Sequence, residues 1–310
     1  MKEQINIDFC GFGLGFDKQN NFIYNELAKN YEIRISNQPD ILFFSCFNLE
    51  YLTYRNCKKV FWAGENIRPD FDGADYCISF DYNKNSNHYR FPLWVLYIEE
   101  TELTRQYTTA EVELIMQNKT KFCAMLVSYC KSQKRKDIFK FLSEYKRIDS
   151  GGKCLNNMDN KKVDNVSDFF APYKFSLCFE NSSYAGYSTE KIFNALKANC
   201  VPIYWGDETL KNDINPKKYI SLHDFNSEKE FLEYIIEVDN NESLYRQYLK
   251  EPILIDGKIP EYYKRENLRN FLIKIVEDEM PPEKTFRQRV KHFLHNYYFK
   301  YKWDRTFGFK

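Results

Sequence analysis

Residues 173–207 read YKFSLCFENSSYAGYSTEKIFNALKANCVPIYWGD, and this stretch decides the predicted fold. It predicts a strand at 175–179, a polar turn, an amphipathic helix and a second strand at 201–205. A strand, a helix and a strand of this length indicate a right-handed crossover in a parallel sheet. Ligands bind such sheets at the carboxyl ends of strands and the amino ends of helices. The polar turn at 181–191 lies at that position and is the first candidate site.

Lys191 stands in the first turn of the predicted helix, where a cation opposes the helix dipole and Glu190 suits it. A cation at this position is favourable when an anion is held there, and helix amino ends bind phosphate through their free N–H groups. The alternative is an exposed surface lysine, the usual state of this residue. Because Asn181, Tyr187 and Glu190 converge with Lys191 on one turn, the sequence favours a nucleotide diphosphate site.

The composition is that of an ordered globular chain without a strong charge field. The 310 residues suffice for two domains of ordinary size. Hydrophobic residues make up 43% and charged residues 29%, which argues against disorder. The formal net charge of +1 provides no field that would attract nucleic acid. We therefore expect no nucleic-acid partner.

Cysteine usage bears on the cellular compartment. The nine cysteines lie mostly within apolar runs and include no CxxC pair, so they predict buried free thiols of a reducing compartment. No amino-terminal segment resembles a signal peptide, and no apolar run approaches the roughly 20 residues of a membrane span. We expect a cytoplasmic protein, with peripheral binding to the inner face of the cytoplasmic membrane as an option.

Two series of alternating elements predict two Rossmann-like domains, followed by a basic tail. We place these regions at 1–115, 116–283 and 284–310. Strands are predicted at 5–10, 31–35, 41–45, 60–63, 76–80, 122–127, 147–148, 175–179, 201–205 and 219–223. Helices are predicted at 21–30, 99–119, 134–145 and 228–237, besides the one that contains Lys191. The glycines of GFGLG at 11–15 do not fit G-x-G-x-x-G and predict a tight turn instead.

The tail at 284–310 contains eight Lys or Arg residues against one acid, Asp304. Phe286, Val290, Phe293 and Leu294 interleave with them at nearly helical spacing. A basic aromatic amphipathic helix is typical of contact with an anionic membrane surface. The alternative is a helix that packs back onto the first domain with its basic face solvated. The two interpretations are compatible, and both stay open.

The opening stretch is also the basis of a family resemblance. Residues 179–207 closely resemble the motif of the α-1,3/4-fucosyltransferases, glycosyltransferase family 10. Residues 58–66, KKVFWAGEN, resemble the family's T/S-G-E-N segment, and a third match is centred on Arg135. The resemblance implies an α/β fold of the GT-B type, in which two Rossmann-like domains face each other across a cleft. It also implies transfer of L-fucose from GDP-fucose to a sugar hydroxyl with inversion.

The resemblance assigns roles to individual donor-side residues. Arg135 and Lys191 match the cations that contact the pyrophosphate, and Asn181, Tyr187 and Glu190 match further donor-binding positions. A forked guanidinium suits a phosphate. Without the resemblance, Arg135 is one cation in the solvated run KSQKRK at 131–136.

Two neighbouring positions depart from the family pattern. Ser188 stands where the family usually has Val or Ile, and Gly186 stands where animal members often have Asp. These departures leave donor binding expected and donor selectivity open.

Glu65 matches the family's proposed catalytic base. An inverting displacement needs one base on the acceptor hydroxyl, opposite the leaving phosphate. Glu65 follows a predicted strand and so lies at a strand carboxyl end, as a cleft carboxylate should. The alternative is a solvated loop glutamate, which is the usual fate of this residue.

We expect no required metal or cofactor, because fixed cations can stabilise the leaving diphosphate. The string Asp70-Phe-Asp72 fits the D-x-D of metal-dependent glycosyltransferases, but it follows Pro69 in a predicted loop, and we interpret it as a coincidence. His292 and His295 are spaced i, i+3 on the tail. Two histidines alone in such a helix are more often surface residues than ligands, and we assign them no role.

Three function classes compete. The first is a fucosyltransferase that acts on GlcNAc or Glc in α-1,3 or α-1,4 linkage, within a surface polysaccharide or a lipid-linked lipopolysaccharide precursor. Its nearest alternative transfers another GDP-linked deoxy sugar or a mannose-like sugar. A different class is an inactive nucleotide-sugar-binding protein, against which Glu65 argues. An RNA-binding role is disfavoured because the basic residues concentrate in the tail rather than along a groove.

Overall fold

The computed structural model describes residues 2–281 and 284–294. In chain order its strands and longer helices are β1 (Gln4–Cys10), α1 (Phe22–Leu27), β2 (Glu32–Ile35), β3 (Ile41–Phe44), β4 (Lys58–Trp62), β5 (Tyr76–Ser79), β6 (His88–Arg90), α2 (Glu100–Leu103), α3 (Thr109–Asn118), β7 (Lys121–Met125), α4 (Gln133–Ser143), β8 (Ile148–Ser150), α5 (Val166–Phe170), β9 (Tyr173–Phe179), α6 (Glu190–Lys197), β10 (Val201–Trp205), β11 (Ile220–Ser221), α7 (Glu228–Asn240), α8 (Glu242–Lys250) and α9 (Arg265–Glu277).

The chain forms two compact units. The first unit comprises the residues up to Pro92 together with the described residues from Pro260 onward, and the second comprises Leu93–Ile259. The sequence prediction placed the divisions at 115/116 and 283/284, so the structural divisions lie elsewhere. The predicted helix at 99–119 is two helices, α2 and α3, because Thr108 caps a new helix start in a capping box with Glu111.

The first unit contains a six-stranded parallel sheet in the order β2-β1-β3-β4-β5-β6. Its central strands read as continuous apolar runs, since strands that are covered on both faces bury every side chain. Strand β6 was not predicted from the sequence, because it is a short and partly exposed edge strand with no apolar pattern.

The second unit contains a five-stranded parallel sheet in the order β11-β10-β9-β7-β8. Strand β7 therefore lies between β8 and β9. From β7 the chain first adds β8 on one side and then crosses back to add β9 on the other, so the strand order reverses at β7. Such a reversal of strand order creates a crevice at the carboxyl ends of the two diverging strands, where ligands bind in open α/β sheets. In this unit the crevice lies beyond the ends of β7 and β9.

Helix α6 shows how local sequence builds this unit. Ile192, Phe193 and Leu196 lie on one face and are buried, as the sequence predicts. Phe193 stacks on Trp94, with ring centroids 4.5 Å apart. The buried apolar area holds the helix against its sheet, and the stacking on Trp94 holds it to the segment 93–96. Together these contacts fix the position of its amino end.

The cysteine prediction is correct in part. Seven cysteines are free thiols, and six of these are buried. Cys130 and Cys154 are instead joined in a disulfide. They lie in the segments that follow β7 and β8, and strand adjacency brings these segments together although they are 24 residues apart in the sequence. The prediction of free thiols is wrong for this pair.

The described part of the tail packs onto the first unit. Residues 286–294 are helical, and we call them the tail helix. The imidazole of His292 is 6% exposed; its Nδ1 lies 2.6 Å from Asp70 Oδ2 and its Nε2 lies 2.7 Å from the hydroxyl of Tyr51. Lys291 pairs with Asp72 at 2.6 Å. Expecting His292 to be a surface residue was therefore wrong, and His295 lies outside the described residues.

Candidate functional site

The candidate site lies at the carboxyl ends of β7 and β9 in the second unit. The turn that follows β9 begins with Glu180 and Asn181 and ends at Thr189, the amino-terminal capping position of α6. The segment that follows β7 leads into α4, which carries Arg135. The polar turn predicted from the sequence therefore lies at the carboxyl ends of β7 and β9, beside the crevice.

Arg135 connects these two segments. Its side chain has no exposed surface. Its Nε and Nη2 donate to the carbonyl of Phe179 at 3.1 and 2.6 Å, Nη1 donates to the carbonyl of Tyr129 at 2.7 Å, and Nη2 also donates to Asn181 Oδ1 at 2.9 Å. The interpretation of Arg135 as a member of a solvated charge run is thus wrong. The guanidinium orients Asn181 and the end of β9.

Lys191 has an anion supplied by the chain itself. Its Nζ lies 2.8 Å from Glu180 Oε2 and 2.8 Å from Thr189 Oγ1, and its side chain is 13% exposed. Burial acts to lower the pKa of Lys191, but the carboxylates of Glu180 and Glu190 outweigh it, and the net shift is upward. The amine is therefore firmly protonated. Its position opposite the helix dipole does not by itself require a bound phosphate.

Glu180 has no exposed surface and organises the end of the turn. Its Oε1 accepts the backbone N–H of Thr189 at 2.9 Å, and the Thr189 hydroxyl donates to the same carboxylate at 2.8 Å. Thr189 occupies the capping position of α6, but its hydroxyl makes no capping bond to the helix. Instead of a side-chain cap, a buried carboxylate holds Thr189 and Lys191 together.

The remaining predicted donor residues lie in the same region. Glu190 is partly exposed, with Oε1 3.4 Å from Lys191 Nζ. Burial would raise the pKa of Glu190, but Lys191 lowers it overall. Tyr187 is 2% exposed. Burial lowers the pKa of Arg135, whereas Glu180, Tyr187 and Glu190 act electrostatically to raise it, so these side chains surround one guanidinium.

A second carboxylate anchors the middle of the turn. Asp207, just beyond β10, accepts the backbone N–H of Gly186 at 2.8 Å through its Oδ1. Gly186 has φ +83°, in the left-handed region that favours glycine. This explains why glycine, rather than a bulkier residue, stands there. Burial raises the pKa of Asp207. Among the described residues, Asp207 Oδ2 and the buried hydroxyl of Ser188 have no hydrogen-bond partner.

Glu65 lies in the first unit, three residues beyond β4, and is partly buried. Gly64 beside it leaves room for the hydroxyl of Ser45, which donates to the Trp62 carbonyl at 2.8 Å. Burial is the main cause of the raised pKa of Cys46, and the charge of Glu65 contributes to it. The structure therefore places Glu65 at a strand carboxyl end, as the sequence predicts.

No group of three His, Cys, Asp or Glu side chains within 2–281 and 284–294 is arranged to hold a metal ion. Both carboxylates of the D-x-D string instead contact the tail helix, through His292 and Lys291. The interpretation of this string as a coincidence fits those contacts. The expectation that no metal is required stays a prediction.

Two side chains that shape the turn, Glu180 and Asp207, were not among the predicted site residues. Glu180 was visible in the quoted stretch as the residue that ends a buried strand, where a charged side chain needs a partner. A further sign is Gly206, at which a Cβ would lie 2.5 Å from Glu180 Cγ. The sequence could not show that this partner is Lys191.

Comparison with known proteins assigns the chain to a family. A model described as "Alpha-(1,3)-fucosyltransferase FucT N-terminal domain" matches residues 7–97. One described as "Glycosyltransferase family 10 (fucosyltransferase) C-term" matches 116–251. The chain is 29% identical over 279 residues to alpha-(1,3)-fucosyltransferase FucT of Helicobacter pylori, covering 77% of this chain and 58% of that protein. It is 31% identical to human GDP-fucose protein O-fucosyltransferase 3, covering 55% of this chain and 39% of that protein.

A solved structure extends the comparison to the whole fold. The crystal structure of an alpha1,3-fucosyltransferase with GDP-fucose matches with a TM-score of 0.76 and 25% identity, covering 91% of this chain and 93% of that one. Two parallel α/β sheets and this match define a protein of the GT-B glycosyltransferase class, which confirms the predicted fold class. The chain belongs to glycosyltransferase family 10, the fucosyltransferase family. It spans between 28% and 58% of the length of the first curated relatives that it matches.

Proposed function

We propose that this protein is an inverting glycosyltransferase that moves L-fucose from GDP-fucose to a hydroxyl of a glycan acceptor. The observation that carries the proposal is the turn at 180–191, in which Lys191 and the start of α6 meet Arg135 at the strand-order reversal of the sheet. A family match that extends over parts of both units supports it. So does the likeness to a structure that contains GDP-fucose.

On the donor side, the proposal assigns the pyrophosphate to Lys191 and the amino end of α6. The protonated amine and the N–H groups of a helix start are suited to a diphosphate. Glu190 is partly exposed beside Lys191 and is proposed to accept a hydroxyl of the donor sugar or ribose. Tyr187 and Asn181 complete the donor side. The resemblance matched Arg135 to a pyrophosphate contact, but its side chain has no exposed surface and is held by backbone carbonyls. The proposal therefore gives Arg135 an electrostatic role, in which its charge adds to the cationic potential at the crevice.

On the acceptor side, Glu65 is the proposed base. The acceptor hydroxyl attacks the anomeric carbon of fucose from the face opposite the phosphate, the bond from carbon to phosphate oxygen breaks, and Glu65 takes the hydroxyl proton. The transition state has oxocarbenium character, as in glycoside cleavage. Charge grows on the leaving GDP, where fixed cations provide electrostatic stabilisation without a metal.

The proposed acceptor is GlcNAc or Glc, fucosylated in α-1,3 or α-1,4 linkage within a surface polysaccharide or lipopolysaccharide precursor. The tail supports a membrane-bound precursor at the inner face of the cytoplasmic membrane. Although the tail helix packs on the first unit, Phe286, Val290, Phe293 and Leu294 leave one face substantially exposed and are flanked by basic residues. Such a face suits an anionic membrane surface. In the described residues, no helix has both the length and the apolar character needed to cross a bilayer.

Donor competition tests the central proposal. Purified protein is incubated with GDP-fucose, GDP-mannose and another GDP-deoxy sugar, and thermal protection, GDP release and products on a glycan array are measured. We expect GDP-fucose to protect the fold and to yield fucosylated products whose mass and linkage identify the acceptor. If another GDP-sugar both protects and reacts while GDP-fucose does neither, the donor assignment is overturned. Binding without turnover on any acceptor would favour an inactive binding protein.

A further inference from the structure

We propose that Glu180 is a positioning residue for donor binding, which acts through Lys191 and Thr189 rather than by touching the donor. This inference rests on the proposed function and deepens it. Glu180 directly follows β9 and has no exposed surface, so its carboxylate is not available to a ligand in this conformation. It nevertheless contacts Thr189, at the capping position of α6, and Lys191, in the first turn of that helix.

The hydrogen bonds of this carboxylate fix two separate features. Thr189 N–H and Oγ1 lie 2.9 and 2.8 Å from Oε1, which sets where the helix backbone begins. Lys191 Nζ lies 2.8 Å from Oε2, which sets where the cation points. Thr189 Oγ1 also accepts from Lys191 Nζ at 2.8 Å, so the three side chains form a closed network. Charge-assisted hydrogen bonds of this kind restrict geometry more than neutral ones do.

The backbone around Glu180 is built to hold it in place. Its N–H donates to the Trp205 carbonyl at 2.8 Å, which extends the pairing between β9 and β10 by one residue. Gly206 opposite leaves the space that its side chain occupies, since a Cβ there would lie 2.5 Å from Glu180 Cγ. The side chain therefore has little room to move. A rigid support of this kind positions a binding group before the ligand arrives.

The charge of Glu180 makes the proposal testable, because two effects have opposite signs. A carboxylate near a diphosphate repels it, so removing the charge should tighten GDP binding if electrostatics alone matters. A positioning carboxylate keeps Lys191 protonated and aimed, so its removal should weaken GDP binding. Glu180→Gln keeps the shape and can still accept from Thr189, but it loses the charge.

The experiment compares the unaltered protein with Glu180→Gln and Glu180→Asp by calorimetric titration with GDP from pH 7 to 10. We expect Glu180→Gln to bind GDP about tenfold or more weakly, as the loss of one charged hydrogen bond implies. We also expect its affinity to fall as pH rises through 8–10 while that of the unaltered protein stays level, because Lys191 then loses its proton more easily. Glu180→Asp keeps the charge on a shorter side chain, so we expect its GDP affinity to change little with pH. Its affinity should nevertheless stay below that of the unaltered protein.

Asp239→Asn is the matched control for stability. Asp239 is a buried carboxylate that pairs with Lys146 and Lys174. These lysines lie at the amino ends of strands of the same sheet, away from the candidate site. We expect the Asp239→Asn substitution to lower the melting temperature without changing the GDP affinity or the dependence of that affinity on pH. If Glu180→Gln binds GDP as tightly as the unaltered protein, or more tightly, the positioning role is overturned.

A ligand-free measurement separates this proposal from the function itself. The pKa of Lys191 is followed by amine labelling and mass spectrometry across the same pH range. We expect it to drop in Glu180→Gln. An unchanged Lys191 pKa would overturn the role of Glu180, whatever the donor is. Failure of the unaltered protein to bind GDP would overturn the proposed function, while the labelling result would still decide whether Glu180 controls Lys191.

Discussion

The amine of Lys191 lies 2.8 Å from a carboxylate oxygen of Glu180, a residue with no exposed surface. A buried ion pair of this kind has two consequences. Each partner is strongly destabilising when left alone, because an uncompensated charge then stays buried. The pair also holds a cation at the start of α6, where a diphosphate is proposed to bind.

Replacing Lys191 with Met should affect stability and donor binding together. We expect a loss of about 3–5 kcal/mol in the free energy of unfolding, since Glu180 is left without its cation. GDP affinity should fall by about 10–100-fold, as expected for a lost hydrogen bond to a charged group. Denaturant unfolding and calorimetry measure the two effects. Lys229→Met, at an exposed position of α7, should change neither quantity beyond the range of an ordinary surface substitution. Wild-type GDP affinity in Lys191→Met would contradict the assignment.

Replacing Glu65 with Gln should separate binding from chemistry. The amide keeps the size of the side chain but cannot accept the acceptor proton, so turnover should fall by at least ~100-fold. GDP binding should stay within about twofold of the unaltered protein, because Glu65 is assigned to the acceptor side. Glu50→Gln, another glutamate of the first unit, should leave turnover unchanged. Full turnover by Glu65→Gln would remove Glu65 from its role as base.

Replacing Ser188 with Ala should stabilise the protein. The Ser188 hydroxyl is buried and lacks a hydrogen-bond partner among the described residues, so it carries an uncompensated desolvation cost. We expect a gain of about 1 kcal/mol, seen as a melting temperature higher by about 2–4 °C. Ser183→Ala, an exposed position in the same turn, should lie within about 0.5 kcal/mol of the unaltered protein. A drop in stability for Ser188→Ala would show that the hydroxyl has a partner.

Lys218 should make stability depend on pH in the alkaline range. Its amine donates to the carbonyls of Tyr248 and Leu249, and burial lowers its pKa from 10.5 to about 8. Between about pH 8 and 10.5 the folded state loses this proton while the unfolded state keeps it. The contribution of Lys218 to the free energy of unfolding therefore rises with pH, by up to about 1.4 kcal/mol per pH unit.

Urea unfolding at pH 7, 8, 9 and 10 measures this contribution as the difference between the unaltered protein and Lys218→Met. The control is Lys217→Met, in which the exposed neighbour is changed. We expect the pH dependence to differ for Lys218→Met alone. Equal slopes in all three proteins would mean that Lys218 keeps an ordinary pKa.

Replacing Gly73 with Ala should release the tail helix. A Cβ at Gly73 would overlap the imidazole of His292, which is held by Asp70 and Tyr51. We expect trypsin to cleave at least ~10-fold faster after Arg287, Arg289 or Lys291, since cleavage of an opened segment tracks the population of the open form. Gly13→Ala, whose Cβ would make only an ordinary van der Waals contact with the Phe47 ring at 4.0 Å, should leave the cleavage rate unchanged. Equal rates in the two variants would show that His292 does not hold the helix.

The sequence predicted most of the strands and helices but fewer of the contacts that their side chains make. The strands and the amphipathic face of α6 were predictable because apolar periodicity is local and is written in neighbouring residues. The helices α5, α8 and α9 were not predicted. Strand β6 was not predicted because three polar edge residues have no periodic pattern. The position of the polar turn at a strand carboxyl end followed from chain order alone, and the structure bears it out.

Sequence alone therefore determined the fold class, the family resemblance and the position of the candidate site at the carboxyl ends of the strands. Only the tertiary structure decided which charges meet. Arg135, which the sequence without the resemblance would leave in a solvated run, is fully buried. His292, expected at the surface, packs against Asp70 and Tyr51, and Lys191 finds its anion in Glu180. The physical reason is that a side chain's partners and its burial depend on packing between elements distant in the sequence, which neither local periodicity nor residue type encodes.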